Sequence, residues 1–550
     1  MTTRWVLVVG LAFSAGLCLT GCDGHGFDLG IKISTGDNTP SPGDGGGTPG
    51  DGNTGGGTTP SPKPFAGTWL ASYGDDQPGD GSKQYAVRLL VSQDANTGAL
   101  SGTGTMFRVF RSGTASQDVV DLTLSGTAQG SSAQLVFHSK PSTVFDFNPV
   151  WTLRATGNRM TGVYEETDTN AALVVSGHAV WNLITSGALN DAWISGYTDA
   201  YAATGLKTND TSAAVSLAAG ADNKFTGDGL QAIIKEGATP DELNFLIAGE
   251  IPGGSQINFT FDGSDLTGKA MDWWGFYSAN YFVGAYGQFT AENNLNRFGH
   301  ATWYSASGVT ADRVTRTWVT SFGDSAASAG AELSDYVMQV TLSLQTGAEV
   351  TGTALVLNER DTTPQFKSYA LQNGTISGTR VRFELAGAGT TFAWDLNLSD
   401  TAMAGCYQQF NTSGTFLSRG IAEWRPGGTS SLVGTWTAAY VDTLRVSEAV
   451  ATQLSRVTIA TQTSSGALSG SGTLHFPGES ADRTFSVSGT RSGSQIDWTF
   501  PGGTGLAGDF VWHMRQAGDI LFGTYTNFTT TDVTEARGHA IWFRSTLSGS

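Results

Sequence analysis

The chain repeats itself four times, and that repetition constrains its fold more than any other feature. MTGVY at Met160 to Tyr164 is followed by GHAVW at Gly177 to Trp181, and the later copies read FVGAY and GHATW, MAGCY and GIAEW, LFGTY and GHAIW. In every copy 13 positions separate the Tyr from the Gly. Each unit opens on a Trp with an aromatic four residues later: Trp69 and Tyr73, Trp193 and Tyr197, Trp318 and Phe322, Trp436 and Tyr440. The opening tryptophans lie 124, 125 and 118 residues apart. A small-residue strand (LSGTGT, FTGDGL, VTGTAL, LSGSGT) and a further Trp mark (Trp151, Trp273 or Trp274, Trp394, Trp512) complete each copy. Self-similarity at a fixed period signals an array of like-folded units.

Within a unit the apolar residues alternate with polar ones, as in VMQVTLSL from Val337 and RVTIATQ from Arg456, and Thr, Ser and Gly turn residues close each run. The connections are too short for parallel crossovers, so neighbouring strands are expected to be antiparallel. The reading is an all-β chain of four tandem units, 65–187, 188–308, 309–427 and 428–550, each an eight-stranded up-and-down barrel. A β-sandwich is the structural alternative. Aromatics and Gly or Ala share one face of the strands, which suits a closed wall with rings filling its interior. Each unit carries a full set of marks, so separate folding and a rod-like row are expected.

The N-terminus has the character of an export signal, with Arg4 ahead of the apolar run Trp5 to Leu19. The run ends in Leu19, Thr20, Gly21 and Cys22, which resembles the lipobox of bacterial lipoproteins. That resemblance implies removal of residues 1–21, Cys18 included, and acylation of Cys22. Residues 36–64 are Gly, Pro, Thr and Asp without a large apolar side chain, a composition that does not offset the entropy of ordering. From Cys22 to residue 64 such a disordered tether spans about 35 Å as a coil and about 140 Å taut. The expected location is the bacterial cell envelope, outer membrane ahead of inner, although Asp23 resembles an inner-membrane retention signal of some bacteria.

GTW at Gly67 to Trp69, LSGT at Leu124 to Thr127, VWTL, MTGVY and GHAVWNLITSG in that order resemble the avidin and streptavidin barrel, a calycin. The resemblance implies closed eight-stranded barrels. In the avidins an Asn two residues beyond the GTW tryptophan helps bind biotin. The matching positions here are Ala71, Ser195, Thr320 and Ala438, so biotin binding is not carried over.

Other chemistry is sparse. The net charge of -18 repels phosphate backbones and excludes a nucleic-acid partner. His178, His300 and His539 share one repeat position, but the third copy has Ile421 there, and their parity opposes that of the inward Trp. They are read as outer-wall residues, not metal ligands. Cys406 has the same outward parity and is read as an inert thiol. The acidic groups Glu165, Glu166 and Asp168, and Asp75, Asp76 and Asp80, are taken as solvated loop carboxylates that do not recur. GxSxG, HExxH, Walker and CxxC motifs are missing, and no catalytic residue or cofactor is assigned.

Two functions follow as expectations. One is an anchored envelope protein acting in surface binding, adhesion or spacing, with a glycan, matrix or protein partner and the membrane held through its lipid. The other is a carrier of a small apolar ligand inside a calycin-like barrel; a carbohydrate-active hydrolase ranks behind both. Aromatics concentrate in MDWWGFYSANYF of the second copy, so Trp273, Trp274, Phe276, Tyr277 and Ser195 form the candidate pocket.

Overall fold

The computed structural model describes residues 63–547, apart from 77–81, 111–115, 141–147, 185–186, 190, 204–205, 264–269, 291–293, 447–450, 504–505 and 507. The signal, Cys22 and most of the tether lie outside the described residues. Among the described residues there is no α-helix, only one short 3-10 turn at Ala311–Val314.

Four antiparallel barrels of eight strands follow one another. The first runs from strand Gly67–Gly74 to strand Leu173–Leu183 and the second from Ala192–Thr198 to Leu295–Ser305. The third runs from Thr317–Gly323 to Phe416–Pro426 and the fourth from Gly434–Arg445 to Thr534–Arg544. Each strand pairs with the next, and the last returns to the first, as in Trp69 opposite Leu183 and Trp318 opposite Pro426. Two-residue strands, Tyr201–Ala202 and Ala326–Ala327, add to the last strands of barrels two and three. The walls close, so the sandwich alternative does not hold and no long edge is left unpaired among the described residues.

The repeated tryptophans fill the interiors. In each barrel the third Trp mark meets the GHAxW or GIAEW tryptophan edge to face: Trp151 with Trp181 at 5.2 Å, Trp273 with Trp303 at 5.3 Å, Trp394 with Trp424 at 5.0 Å and Trp512 with Trp542 at 5.1 Å. Their indole nitrogens have no hydrogen-bond acceptor among the described residues. Setting the positive edge of one ring against the negative face of the other is the compensation a dry interior offers, about 0.5–1.5 kcal/mol per pair beyond burial. Trp498, outside the repeated marks, is a further ring in barrel four, 5.6 Å from Trp542. The opening Trp seals the other end. Its indole N–H donates to the carbonyl four residues earlier, Phe65, Val314 or Leu432, at 3.0, 3.0 and 2.8 Å.

The barrels do not form a rod. The outer faces of each barrel's last two strands pack on the first two strands of the barrel before it. Val283 and Ala285 of barrel two lie with Leu70 and Ala86 of barrel one, and Ala404 of barrel three lies with Ile194 of barrel two. Phe522 and Ile541 of barrel four lie with Val319 of barrel three. The same contact then joins the ends of the series: Val163 of barrel one packs on Ala439 and Leu454 of barrel four, and Thr161 donates to Thr437 at 3.1 Å. A head-to-tail interface that closes makes a ring, and here it closes after four copies within one chain. At the centre all four barrels meet. Arg159 lies over the Phe543 ring at 5.0 Å, Arg425 lies over Tyr304 at 4.8 Å, and the Tyr304 hydroxyl donates to Glu423.

Ring closure changes what the outward positions do. His178, His300 and His539 face out of their barrels, but they bond Asp76, Gln84 and Asp335 within the ring contacts. Burial lowers the His300 pKa to about 3, so it is neutral. Cys406 is buried between barrels two and three, its Sγ 3.8 Å from the Ala232 carbonyl, and burial pushes its thiol up. The chain end also behaves as a linker: Leu547 packs on the core of barrel one, and Thr546 N–H donates to the Thr156 carbonyl at 3.2 Å. A circular permutant that joins residue 547 to residue 63 and opens the chain between 187 and 188 is therefore expected to melt within about 3 °C of the parent by circular dichroism. A linear row would leave the rejoined ends far apart, and the permutant would unfold early.

Candidate functional site

The described connections fall at two ends of the barrels. The first strand starts, and the last strand finishes, at the end that carries the tight turns; Ile184 N–H, just past the last strand of barrel one, donates to the Thr68 carbonyl at 2.9 Å. The longer loops lie at the opposite end, and neighbouring barrels place them on the same side. The Thr452 hydroxyl donates to Asp76 at 2.7 Å, the Ser325 hydroxyl to Asp210 at 2.6 Å, and the Thr443 hydroxyl to Asp335 at 2.7 Å, each between loop ends of adjacent barrels. The ring thus has a turn face and a loop face. Loops held on a rigid scaffold are where recognition is usually built, so the loop face is the candidate site.

One carboxylate anchors this face in every barrel. Asp75, Asp199, Asp324 and Asp442 each stand six residues after the opening Trp, and each is buried. One oxygen accepts the hydroxyl of the repeated Tyr, from Tyr286 at 2.8 Å, Tyr407 at 2.7 Å, Tyr525 at 2.5 Å and, in barrel one, Tyr164. The other accepts a backbone N–H where the chain returns from the first loop: Lys83, Asn209 and Ser334 at 2.8 Å and Ala451 at 3.1 Å. The same Tyr lies over the glycine of GHAxW, its cross-strand partner. A Cβ at Gly299 would sit 2.7 Å from the Tyr286 hydroxyl, and one at Gly538 would sit 2.8 Å from the Tyr525 ring. The fixed Tyr-to-Gly spacing is therefore the hairpin register that lays a ring over a bare backbone and aims its hydroxyl at the carboxylate.

Burial raises all four carboxyls. Asp324 reaches about 7, because only hydroxyls and one amide face it and Asp335 is near. Asp199 stops at about 6, held down by Arg297, whose Nη1 is 3.1 Å away. Such groups resemble general acids in isolation, but both oxygens are committed to Tyr and backbone. The geometry makes them loop anchors.

The sequence-based candidates are dispersed. Trp273, Tyr277 and Ser195 face the interior of barrel two, where the Ser195 hydroxyl donates to the Thr302 carbonyl at 2.8 Å. Trp274 and Phe276 face outward with the barrel one contact, Phe276 meeting Phe107 at 5.2 Å. The reading of Asp75 and Asp76 as solvated and non-recurring is corrected. Both are buried, Asp76 in the contact with barrel four, and Asp75 has counterparts in all copies. Its signal was the constant offset from the Trp. Glu166 is buried as well, Glu165 accepts the Gly478 N–H from barrel four, and Asp168 caps its own turn through the Asn170 and Ala172 N–H groups. Asp80 lies outside the described residues. Among the described residues no group of His, Cys, Asp or Glu is arranged to hold a metal ion.

No known family profile and no curated protein matches the chain. Several solved structures share some of its architecture. Transferrin binding protein B from Neisseria meningitidis is 9% identical over 70% of this chain and 83% of its own, with a TM-score of 0.19. A variant of transferrin binding protein B from Haemophilus parasuis is 10% identical over 85% and 95%, also at 0.19. A protein of unknown function of the DUF3598 family from Nostoc punctiforme is 12% identical over 43% and 95%, at 0.13. At these scores the likenesses carry no argument about function.

Two outcomes test the anchor. An unfolded Asp324 releases its proton near 3.8, whereas the folded one holds it to about 7, so this group's contribution to stability falls as pH rises through that window. Asp324→Asn is expected to flatten that fall, seen as a smaller loss of urea stability between pH 4 and about pH 7. Gly420→Ala is expected to cost about 1–3 kcal/mol by the same measurement, because its methyl would press on the Gly323 carbonyl and the Tyr407 ring.

Proposed function

We propose that this is a lipid-anchored protein of the bacterial cell envelope that binds a macromolecular partner through the loop face of its barrel ring and catalyses no reaction. The observation that carries the reading is polarity. The chain reaches barrel one and passes between barrels at the turn face, so a tether from Cys22 attaches there and holds the loop face away from the membrane. With Cys22 acylated, two or three chains contribute about 0.8 kcal/mol per buried methylene, enough for stable anchoring without a spanning helix.

The rest of the geometry supports binding over turnover. Catalysis needs polar groups converging on an accessible cleft, whereas the repeated inward groups are Trp, Tyr and carboxylates already bonded. The Trp pairs that fill the four interiors weigh against the alternative, a small apolar ligand carried inside a barrel.

In the native host, a palmitate analogue is expected to label the protein but not Cys22→Ala, and the variant is expected to leave the membrane fraction. An unlabelled parent, or a variant still membrane-bound, would overturn the anchor. Alanine substitutions in the loop-face turns 411–415 and 529–533 are expected to reduce retention of the purified ring on isolated envelope material. Equal loss from changes at the turn-face segment 94–98 would overturn the assignment of the binding face.

A further inference from the structure

The loop between the third and fourth strands of a barrel reaches toward the next barrel wherever it is described. From barrel four, Asp482 meets Arg154 of barrel one at 2.7 Å. From barrel three, the Phe366 ring lies under the Arg515 guanidinium of barrel four at 3.9 Å. Both contacts are plugged by a large or charged side chain. The corresponding loop of barrel two, between strands Lys224–Ile234 and Asp241–Glu250, has Gly237, Ala238, Thr239 and Pro240 at its tip. The Gln408 amide pins it to barrel three by donating to the Ala238 carbonyl at 2.8 Å. With only small side chains at the tip, a cleft of about 540 Å³ remains between loop and wall, a size in the range of small-molecule sites.

The wall of barrel three beneath the loop is also altered. Its pairing register shifts between Gln372 and Thr375, and Asn373 adopts a left-handed φ of 53°. Bulges of this kind re-aim side chains and recur beside functional sites. Asn373 donates to Glu384 at 2.9 Å, and both line the cleft with Thr375 and Phe410. Arg382 lines it too, but its charge is engaged: its Nε is 3.1 Å from Asp395, and it pairs with Glu242 of barrel two. Arg380 is likewise held by Asp395 and Glu242.

This pairing leaves no bare cation for an anionic ligand. The lining instead offers planar amide, carboxylate and guanidinium groups and a hydroxyl, with donors and acceptors mixed, beside the apolar Phe410. A pyranose ring matches that set, since each hydroxyl both donates and accepts while its C–H face packs on an aromatic. We propose that the cleft between barrels two and three binds a neutral saccharide unit, with Glu384 and Asn373 contacting its hydroxyls. This deepens the surface-binding reading by naming a ligand class. Its test uses the soluble ring without membrane or tether, so it can fail while the anchored-binder reading stands.

Saturation-transfer NMR on the tether-free ring, residues 63–550, would be run separately with glucose, galactose, N-acetylglucosamine and cellobiose. At least one is expected to give transfer signals. Thr239→Phe, which places a ring in the loop as Phe366 does in barrel three, is expected to abolish them, and Glu384→Ala to weaken binding about tenfold, with melting unchanged for both. The proposal is overturned if none of the sugars gives transfer, if Thr239→Phe leaves transfer intact, or if short unglycosylated peptides alone occupy the cleft.

Discussion

The head-to-tail contact between successive barrels is the constraint on which the rest of the structure depends. Each barrel offers the outer face of its last hairpin to the first two strands of the one before, and the rotation implied by that contact closes after four copies. Closure fixes three consequences. It buries outward positions that a row would leave wet at its ends, such as Val163 on Ala439. It puts the longer described loops within the barrels on one face. It also brings polar residues of three barrels, Arg159, Tyr304, Glu423 and Arg425, to a common centre.

Within each barrel a second, smaller device is repeated without exception. A ring stacked over glycine, a hydroxyl aimed at a buried carboxylate, and that carboxylate on a loop amide tie three strands and a loop together. Removing one partner would leave a buried donor or acceptor unsatisfied, which costs about 1–3 kcal/mol. The raised pKa values of these Asp residues are a consequence of that burial. Perturbed carboxyls often mark active sites, but here the committed oxygens and the fourfold repetition identify an architectural part.

The copies differ where the architecture does not need them alike. The contacts between barrels share one arrangement but differ in chemistry: aromatic at Phe107 and Phe276, an Arg419 to Asp210 ion pair, Thr and Glu at Thr524 and Glu359. Distinct contacts specify which barrel follows which and disfavour misregistered closure, a recurring hazard of like units joined in tandem. The open cleft beside Ala238 belongs to the same variation, since that loop lacks the bulk that Phe366 and Asp482 give the corresponding loops of barrels three and four.

The sequence by itself determined the barrels. Alternation, turn residues and the Trp, Tyr and Gly marks are local or pairwise constraints, and each can be seen by comparing copies within the chain. The anchor carboxylates were equally legible, at a constant offset from the opening Trp, but Asp75 stands beside Asp76 and Asp80 in what reads as a solvated loop. So were the apolar residues four before that Trp, Phe65, Leu189, Val314 and Leu432. Only the tertiary structure decided that the four barrels close into a ring. That outcome depends on the angle between outer faces whose residues, among them Val180, Thr302, Glu423 and Ile541, share no pattern. Side-chain parity states whether a residue faces in or out of its own barrel, and it carries no information on whether another barrel waits outside. For that reason His178, His300 and Phe276 read as surface or pocket, and the fold buries them between neighbours.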